Sequence, residues 1–322
     1  MTLPEAEPSR ALKIAAIPLM LAGGAAVAGQ SQINGRLAAE LGGGTTAALT
    51  AALISFGTGL VLVSAIALSS RSRRAGIRRV VAAVREGRLR GAVLLAGLFG
   101  GFVVASQGIT VATIGVALFS VAITAGQSSA SLAVDQFGLG PGGHLPWSVP
   151  RAIAAAFAIV AVCLTAGERL VEDFSWKTAL FALLPLLAGA GAAVQTALNG
   201  RISQHAGPWV TSLNNFIVGT VGLLLVWLVC LLRDHDLEPL PHQWWLYLGG
   251  AIGLTFIWLA AALVRVHGVL VLALCMIAGQ VIGAEVIELA SGDAHIGPLG
   301  IAGGGLVLLG VVVAFLRRPA GR

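Results

Sequence analysis

Gln30-Ser31-Gln32-Ile33-Asn34-Gly35-Arg36 is answered, 165 positions later, by Gln195-Thr196-Ala197-Leu198-Asn199-Gly200-Arg201. A second set recurs at a shift of 153: Gly97, Gly100, Gly115 and Ala125-Gly126-Gln127 return as Gly250, Gly253, Gly268 and Ala278-Gly279-Gln280. The matches keep their order, so the chain is a tandem duplication. Each copy reads as five apolar runs. Because five is odd, the second copy enters a bilayer from the opposite side to the first, which is the inverted-repeat plan of many secondary transporters.

Composition supports that reading. Hydrophobic residues make up 57% of the chain, charged residues 11%, and the mean hydropathy is +0.91. Such a chain is a polytopic membrane protein rather than a soluble domain. Backbone polar groups must be paired internally in hydrocarbon, and the runs are too continuously apolar for barrel strands, so the spans are helices. The expected fold is all-α, with ten transmembrane helices arranged as two inverted five-helix repeats, residues 1–170 and 171–322. The first copy's spans fall near 13–34, 46–68, 91–113, 115–137 and 150–167. Those of the second fall near 178–199, 209–232, 244–264, 268–290 and 297–316. Short turns at Gly115 and Gly268 join the third span to the fourth and the eighth to the ninth.

Charge sets the orientation. With a cytoplasmic N-terminus, the inner segments hold 16 of the 20 Lys and Arg residues, eight of them between Arg71 and Arg90. The outer segments hold Arg36, Arg169, Lys177 and Arg233. This positive-inside bias puts both termini and the basic loop 69–90 in the cytoplasm. That loop reads as a solvated segment that sets orientation; the alternative is a short amphipathic surface helix, for which Ile77, Val80, Val81 and Val84 have the spacing. The pI near 10.2 therefore reports topology and attraction to anionic lipid, not nucleic acid. Ala26-Val27-Ala28 resembles a signal cleavage site, but its counterpart near Ala192 lies deep in the chain. Cys163, Cys230 and Cys275 lack metal or redox spacing and read as packing residues.

The chemistry on offer is a set of polar residues inside spans. Gln127 and Gln280 fall near the middle of the fourth and ninth spans, each after a glycine, and are candidates for substrate contact; the competing role is interhelical hydrogen bonding. Gln30 with Asn34, and Gln195 with Asn199, are four apart and so share a helix face. Gln30 and Gln195 are further substrate-binding candidates. Asn34 and Arg36 at the outer end, and Asn199 and Arg201 at the inner end, are gating or pore-lining candidates, unless Asn-Gly ends the helix and the arginine snorkels. Asn214 and Asn215 are weaker candidates. Glu285 and Glu288 are ion-coupling candidates by depth, against a reading as interfacial acids; Glu288 pairs with Asp135 in the repeat. Of the tryptophans, Trp147, Trp176, Trp209, Trp244 and Trp245 mark span starts, as in an aromatic belt. Trp258, within the eighth span, is read as packing rather than ligand stacking.

Gln-x-x-x-Asn-Gly-Arg, the pairs Ser55-Phe56 and Asn215-Phe216, and the Ala-Gly-Gln of the fourth and ninth spans resemble the YdcZ-type inner-membrane proteins of the drug/metabolite transporter superfamily. The resemblance covers about residues 13–316 as two copies, whereas common members are about half as long. It implies a five-plus-five inverted bundle in the inner membrane and an export role with no assigned substrate. The copies have diverged, since the stretch from Arg36 to Phe56 is five residues longer than that from Arg201 to Phe216.

The function expected is a secondary transporter that exports a small organic metabolite or drug by alternating access, with a small-molecule substrate and the lipid bilayer as partners. No cofactor or metal is expected. The fifth and tenth spans lack polar motifs and offer a packing or homodimer surface. The alternatives are a structural membrane partner or, with less support, an intramembrane enzyme. The six histidines lie in loops or near span ends without metal spacing, and no nucleotide-binding motif marks an ATP-driven pump.

Overall fold

The computed structural model describes residues 10–150, 152–157, 159–160, 176–232 and 237–291, with isolated helical positions between 302 and 313. Most of the expected fifth and tenth spans, with Cys163, therefore lie outside the described residues. Eight α-helices organise the rest: α1 (Arg10–Glu40), α2 (Gly44–Leu68), α3 (Arg71–Arg85), α4 (Gly97–Gln136), α5 (Trp176–Ala206), α6 (Pro208–Leu231), α7 (Gly249–His267) and α8 (Val269–Ser291). Short 3-10 turns, Gly91–Ala96 and Trp244–Tyr247, lead into α4 and α7. Five of the described helical stretches are long and apolar enough to cross a membrane: Leu12–Glu40, Gly44–Leu68, Leu183–Ala206, Pro208–Leu231 and Trp244–His267. Their outward faces are greasy, as on α6, where Val221, Leu225 and Val229 recur every fourth residue and are each more than half exposed. That stripe suits hydrocarbon and would be costly in water.

Three helix boundaries differ from the sequence reading. Asn34-Gly35 and Asn199-Gly200 do not end their helices; α1 continues to Glu40 and α5 to Ala206. The extra turns are held by burial: Leu37 and Leu41 pack with Ala47, Ala51 and Leu246, and Ile202 and Ala206 with Val80 and Val210. The actual stops are glycines in the left-handed region, Gly42 and Gly43 after α1 and Gly207 after α5, where a side chain would be strained. The third difference is at Gly115, where a turn was expected but helical pairing continues through α4.

Even so, α4 is not straight. Its Gly100 lies against Gln195 and its Gly126 against Leu186, both on α5. A straight helix would separate Gly100 and Gly126 by about 39 Å, whereas nine residues of α5 span about 13 Å. The helix must bend between the two contacts. At Gly268 the chain breaks outright, with φ +85°. Asp135, at the end of α4, accepts hydrogen bonds from the Val269 and Leu270 amides, each at 3.0 Å, and so caps α8 from 134 positions away.

Packing crosses the boundary between the copies. A Cβ on Gly24 of α1 would strike the Met276 carbonyl and the Gln280 amide of α8; one on Gly189 of α5 would strike the Ile123 carbonyl and the Gln127 amide of α4. The reciprocal pairs, Gly279 against Leu21 and Gly126 against Leu186, repeat the match. Such backbone-to-backbone approach is what small residues permit between membrane helices. Between α2 and α6, Phe56 and Phe216 meet at 5.3 Å and 51°, each ring seated on the other helix's glycine, Gly219 or Gly59.

The basic loop is not merely solvated: it forms the amphipathic helix α3. It buries Gly76, Val80 and Ala83, while Val81 stays exposed. Arg79 donates to the His205 carbonyl at the end of α5, which fastens α3 to the bundle.

Candidate functional site

Two polar clusters lie where α1 and α5 cross the rest of the bundle. In the second copy, Gln195 Nε2 donates to Asn215 Oδ1 at 2.7 Å, Asn215 Nδ2 donates to Asn199 Oδ1, and the same amide reaches the Thr211 carbonyl at 3.1 Å. All three side chains are buried. The helical four-residue spacing presents Gln195 and Asn199 together, and Asn215 spans them because its amide carries both a donor and an acceptor. Gly100 leaves room for the Gln195 side chain.

In the first copy the corresponding residues are Gln30, Asn34 and Ser55. Gln30 is half-buried and sits against Gly253, as Gln195 sits against Gly100. Asn34 and Ser55 are buried, both beside Gly249, yet Asn34 Oδ1 and Ser55 Oγ have no hydrogen-bond partner. A serine hydroxyl is too short to do what Asn215 does. One copy therefore holds a closed hydrogen-bonded network and the other an open one. Sequence reasoning ranked Asn215 low; aligning Phe56 with Phe216 sets Ser55 opposite Asn215 and would have found both.

The two clusters are separated along α7, whose Gly249 neighbours Asn34 and whose Val264 neighbours the Asn199-Gly200 region. Fifteen helical residues correspond to about 22 Å. Their arginines have different roles. The guanidinium of Arg36 lies 5.7 Å over the Trp245 ring, a cation–π contact. Arg201 instead donates to the Gly138 carbonyl at 2.8 Å.

Gln127 and Gln280 are half-buried. Their backbone N–H groups lie beside Gly189 and Gly24, at close helix approaches between the copies. The Gln127 carbonyl also accepts from Ser131 Oγ at 2.6 Å. Glu285 and Glu288 occupy the last turns of α8, with side chains outside the described residues. The acid that sequence reasoning undervalued is Asp135, 2% exposed and bound to the start of α8; its partners are too distant in sequence for spacing to reveal. Trp258 packs against Trp209 at 5.3 Å, and Cys275 is fully buried among apolar residues, both in keeping with packing roles.

Apolar spanning helices, buried polar clusters at helix crossings and glycine-mediated close packing define the class: a polytopic helical membrane protein. The family model described as "putative inner membrane exporter, YdcZ" matches residues 15–164 and again 180–313. The chain belongs to this YdcZ family, as a tandem duplication of the family unit. Among solved structures, one crystal structure of a protein shares the fold at a TM-score of 0.66 and 15% identity, covering 96% of this chain and 98% of that one. No curated protein matches.

Proposed function

We propose that this protein is a secondary transporter of the inner membrane that exports a small organic metabolite or drug by alternating access between two inverted repeats. The observation that carries the reading is the exchange of contacts: Gly24 with Met276 and Gln280 repeats as Gly189 with Ile123 and Gln127. Matched interfaces of this kind give a molecule two states related by swapping the roles of its copies, as alternating access requires. Family membership supports export.

Because α1 packs on α7 and α8, and α5 packs on α4, the moving bodies are these cross-copy groups rather than the two sequence halves. The Phe56–Phe216 contact is the pivot between them. Gln127 and Gln280, at the tightest crossings, line the central substrate path with Gln30 and Gln195. The open network of Asn34 and Ser55 and the closed one of Asn199 and Asn215 flank it as gates.

The test is a comparison of metabolites released by cells expressing or lacking the protein, with and without a pH gradient. Expression should increase efflux of at least one metabolite. Replacing Gln127 and Gln280 together by Leu should lower that efflux while leaving membrane insertion intact, since removing amides makes a span more apolar. Undiminished efflux would assign both glutamines to packing.

A further inference from the structure

A cavity of about 460 Å³ opens where three segments distant in sequence converge: the stretch between α3 and α4, the glycine-rich loop after α4, and the end of α5. That volume lies within the roughly 300–1,000 Å³ typical of small-ligand sites. Its charged lining is basic: Arg88, Arg90, Arg201 and His205. The facing wall is Gly138, Gly140, Pro141 and Gly143, which carry no bulky side chains to fill it. Glu86 is the nearby acid, and it is already paired with Arg88 at 2.6 Å. Arg201 uses one donor on the Gly138 carbonyl and keeps others, since a guanidinium has five N–H groups.

Among the described residues no equivalent basic site appears at the other end. Arg36, the counterpart of Arg201, is stacked on Trp245, and the segment after α6 carries Asp234, Asp236 and Glu238 with one arginine, Arg233. Repeat symmetry does not account for this basic cavity among the described residues. Its walls are the end of the apolar α5, the loop after α4 and the stretch joining the amphipathic α3 to α4, which sets it at the level of a membrane interface, where basic pockets take phosphate groups. Arginine pairs with phosphate through parallel N–H bonds, which adds geometric selectivity to charge.

We propose that this cavity is a binding site for a phosphate-bearing anion, with Arg88 and Arg90 as its principal ligands. The phosphate comes either from an anionic phospholipid headgroup at the membrane surface or from a soluble phosphorylated compound. The site is separate from the export path and does not depend on that assignment.

The experiment uses the purified full-length chain in neutral detergent, with its thermal unfolding midpoint read after addition of phosphatidylglycerol, phosphatidylcholine, sodium pyrophosphate, or sodium chloride at matched ionic strength. Two double variants are compared, Arg88→Gln/Arg90→Gln and the charge-matched Arg78→Gln/Arg85→Gln on α3. An upward shift with phosphatidylglycerol but not phosphatidylcholine, lost only in the first variant, identifies the lipid headgroup. A shift with pyrophosphate but not sodium chloride, lost in the same variant, identifies a soluble source. Equal loss in both variants, or no shift beyond phosphatidylcholine and sodium chloride, overturns the proposal. Should the Arg88/Arg90 variant not fold, phenylglyoxal modification of the unaltered chain, mapped by mass spectrometry, replaces it. The effective probe should slow reaction at Arg88 and Arg90 several-fold while Arg78 and Arg85 react as before, and uniform rates would refute the site.

Discussion

Asn215 shows how one side chain can decide whether a polar cluster is structural. It closes the network joining Gln195 to Asn199, whereas Ser55 leaves the Asn34 acceptor unpartnered. Asn215→Ser should therefore cost about 1–2 kcal/mol, the upper range for polar contacts between membrane helices, with a lower unfolding midpoint in detergent. Ser55→Asn should raise the midpoint or leave it unchanged by supplying a donor to Asn34. If the two substitutions behave alike, the asymmetry between copies has no energetic content. The repeat was legible from Gln30 to Arg36 because helix faces follow from four-residue spacing. What the spacing did not convey was which amide finds a partner, because that depends on the neighbouring helix: α6 offers Asn215 and α2 only Ser55.

The helices were legible wherever apolar length alone decides them, as for α2 and α6, whose ends lie within two residues of the reading. Ends set by distant partners were not. The α7–α8 break was expected from Gly268, yet what stabilises it is the Asp135 carboxylate, which takes up the first amides of α8. In a medium without water, freed amides need such a partner. At Gly115 the chain keeps its amides paired within a bent α4, so the same glycine in the other copy does not make the same turn. Asp135→Ala should destabilise the protein by about 1–2 kcal/mol, as loss of an N-cap does. Asp135→Asn retains one acceptor and should cost less. Faster hydrogen exchange at Val269 and Leu270 in Asp135→Ala would locate the loss; unchanged protection there would show that the cap is redundant.

At the scale of the whole molecule, the segments assigned to one side of the membrane by charge meet at one end of the bundle: Arg79 with His205, Arg201 with Gly138, and His267 with Lys13. Those assigned to the other side meet at the opposite end, Arg36 with Trp245 and Glu238 with Leu41. This agreement fits one consistent topology, and which side α3 faces is a matter for labelling. After Cys163, Cys230 and Cys275 are removed, a cysteine at the exposed Ser72 position should resist an impermeant reagent in intact cells and react in inverted membranes. The reverse pattern would invert the topology. The same end-to-end arrangement bears on mechanism, because Asn34 and Asn199 lie about 22 Å apart along α7 and cannot both guard one opening. Joining Arg36→Cys to Trp245→Cys with a reducible thiol crosslinker fixes α1 against the turn that leads into α7, a contact inside one proposed moving body. Export should therefore persist with the crosslink formed. A labelled cysteine at Gln204, exposed at the inner end, should stay reactive from the cytoplasmic side. If the crosslink stops export and reduction restores it, the moving bodies are not α1 with α7 and α8 against α5 with α4. Simultaneous reactivity of cysteines at both ends, in the unlocked protein and from a single side of the membrane, would indicate a channel.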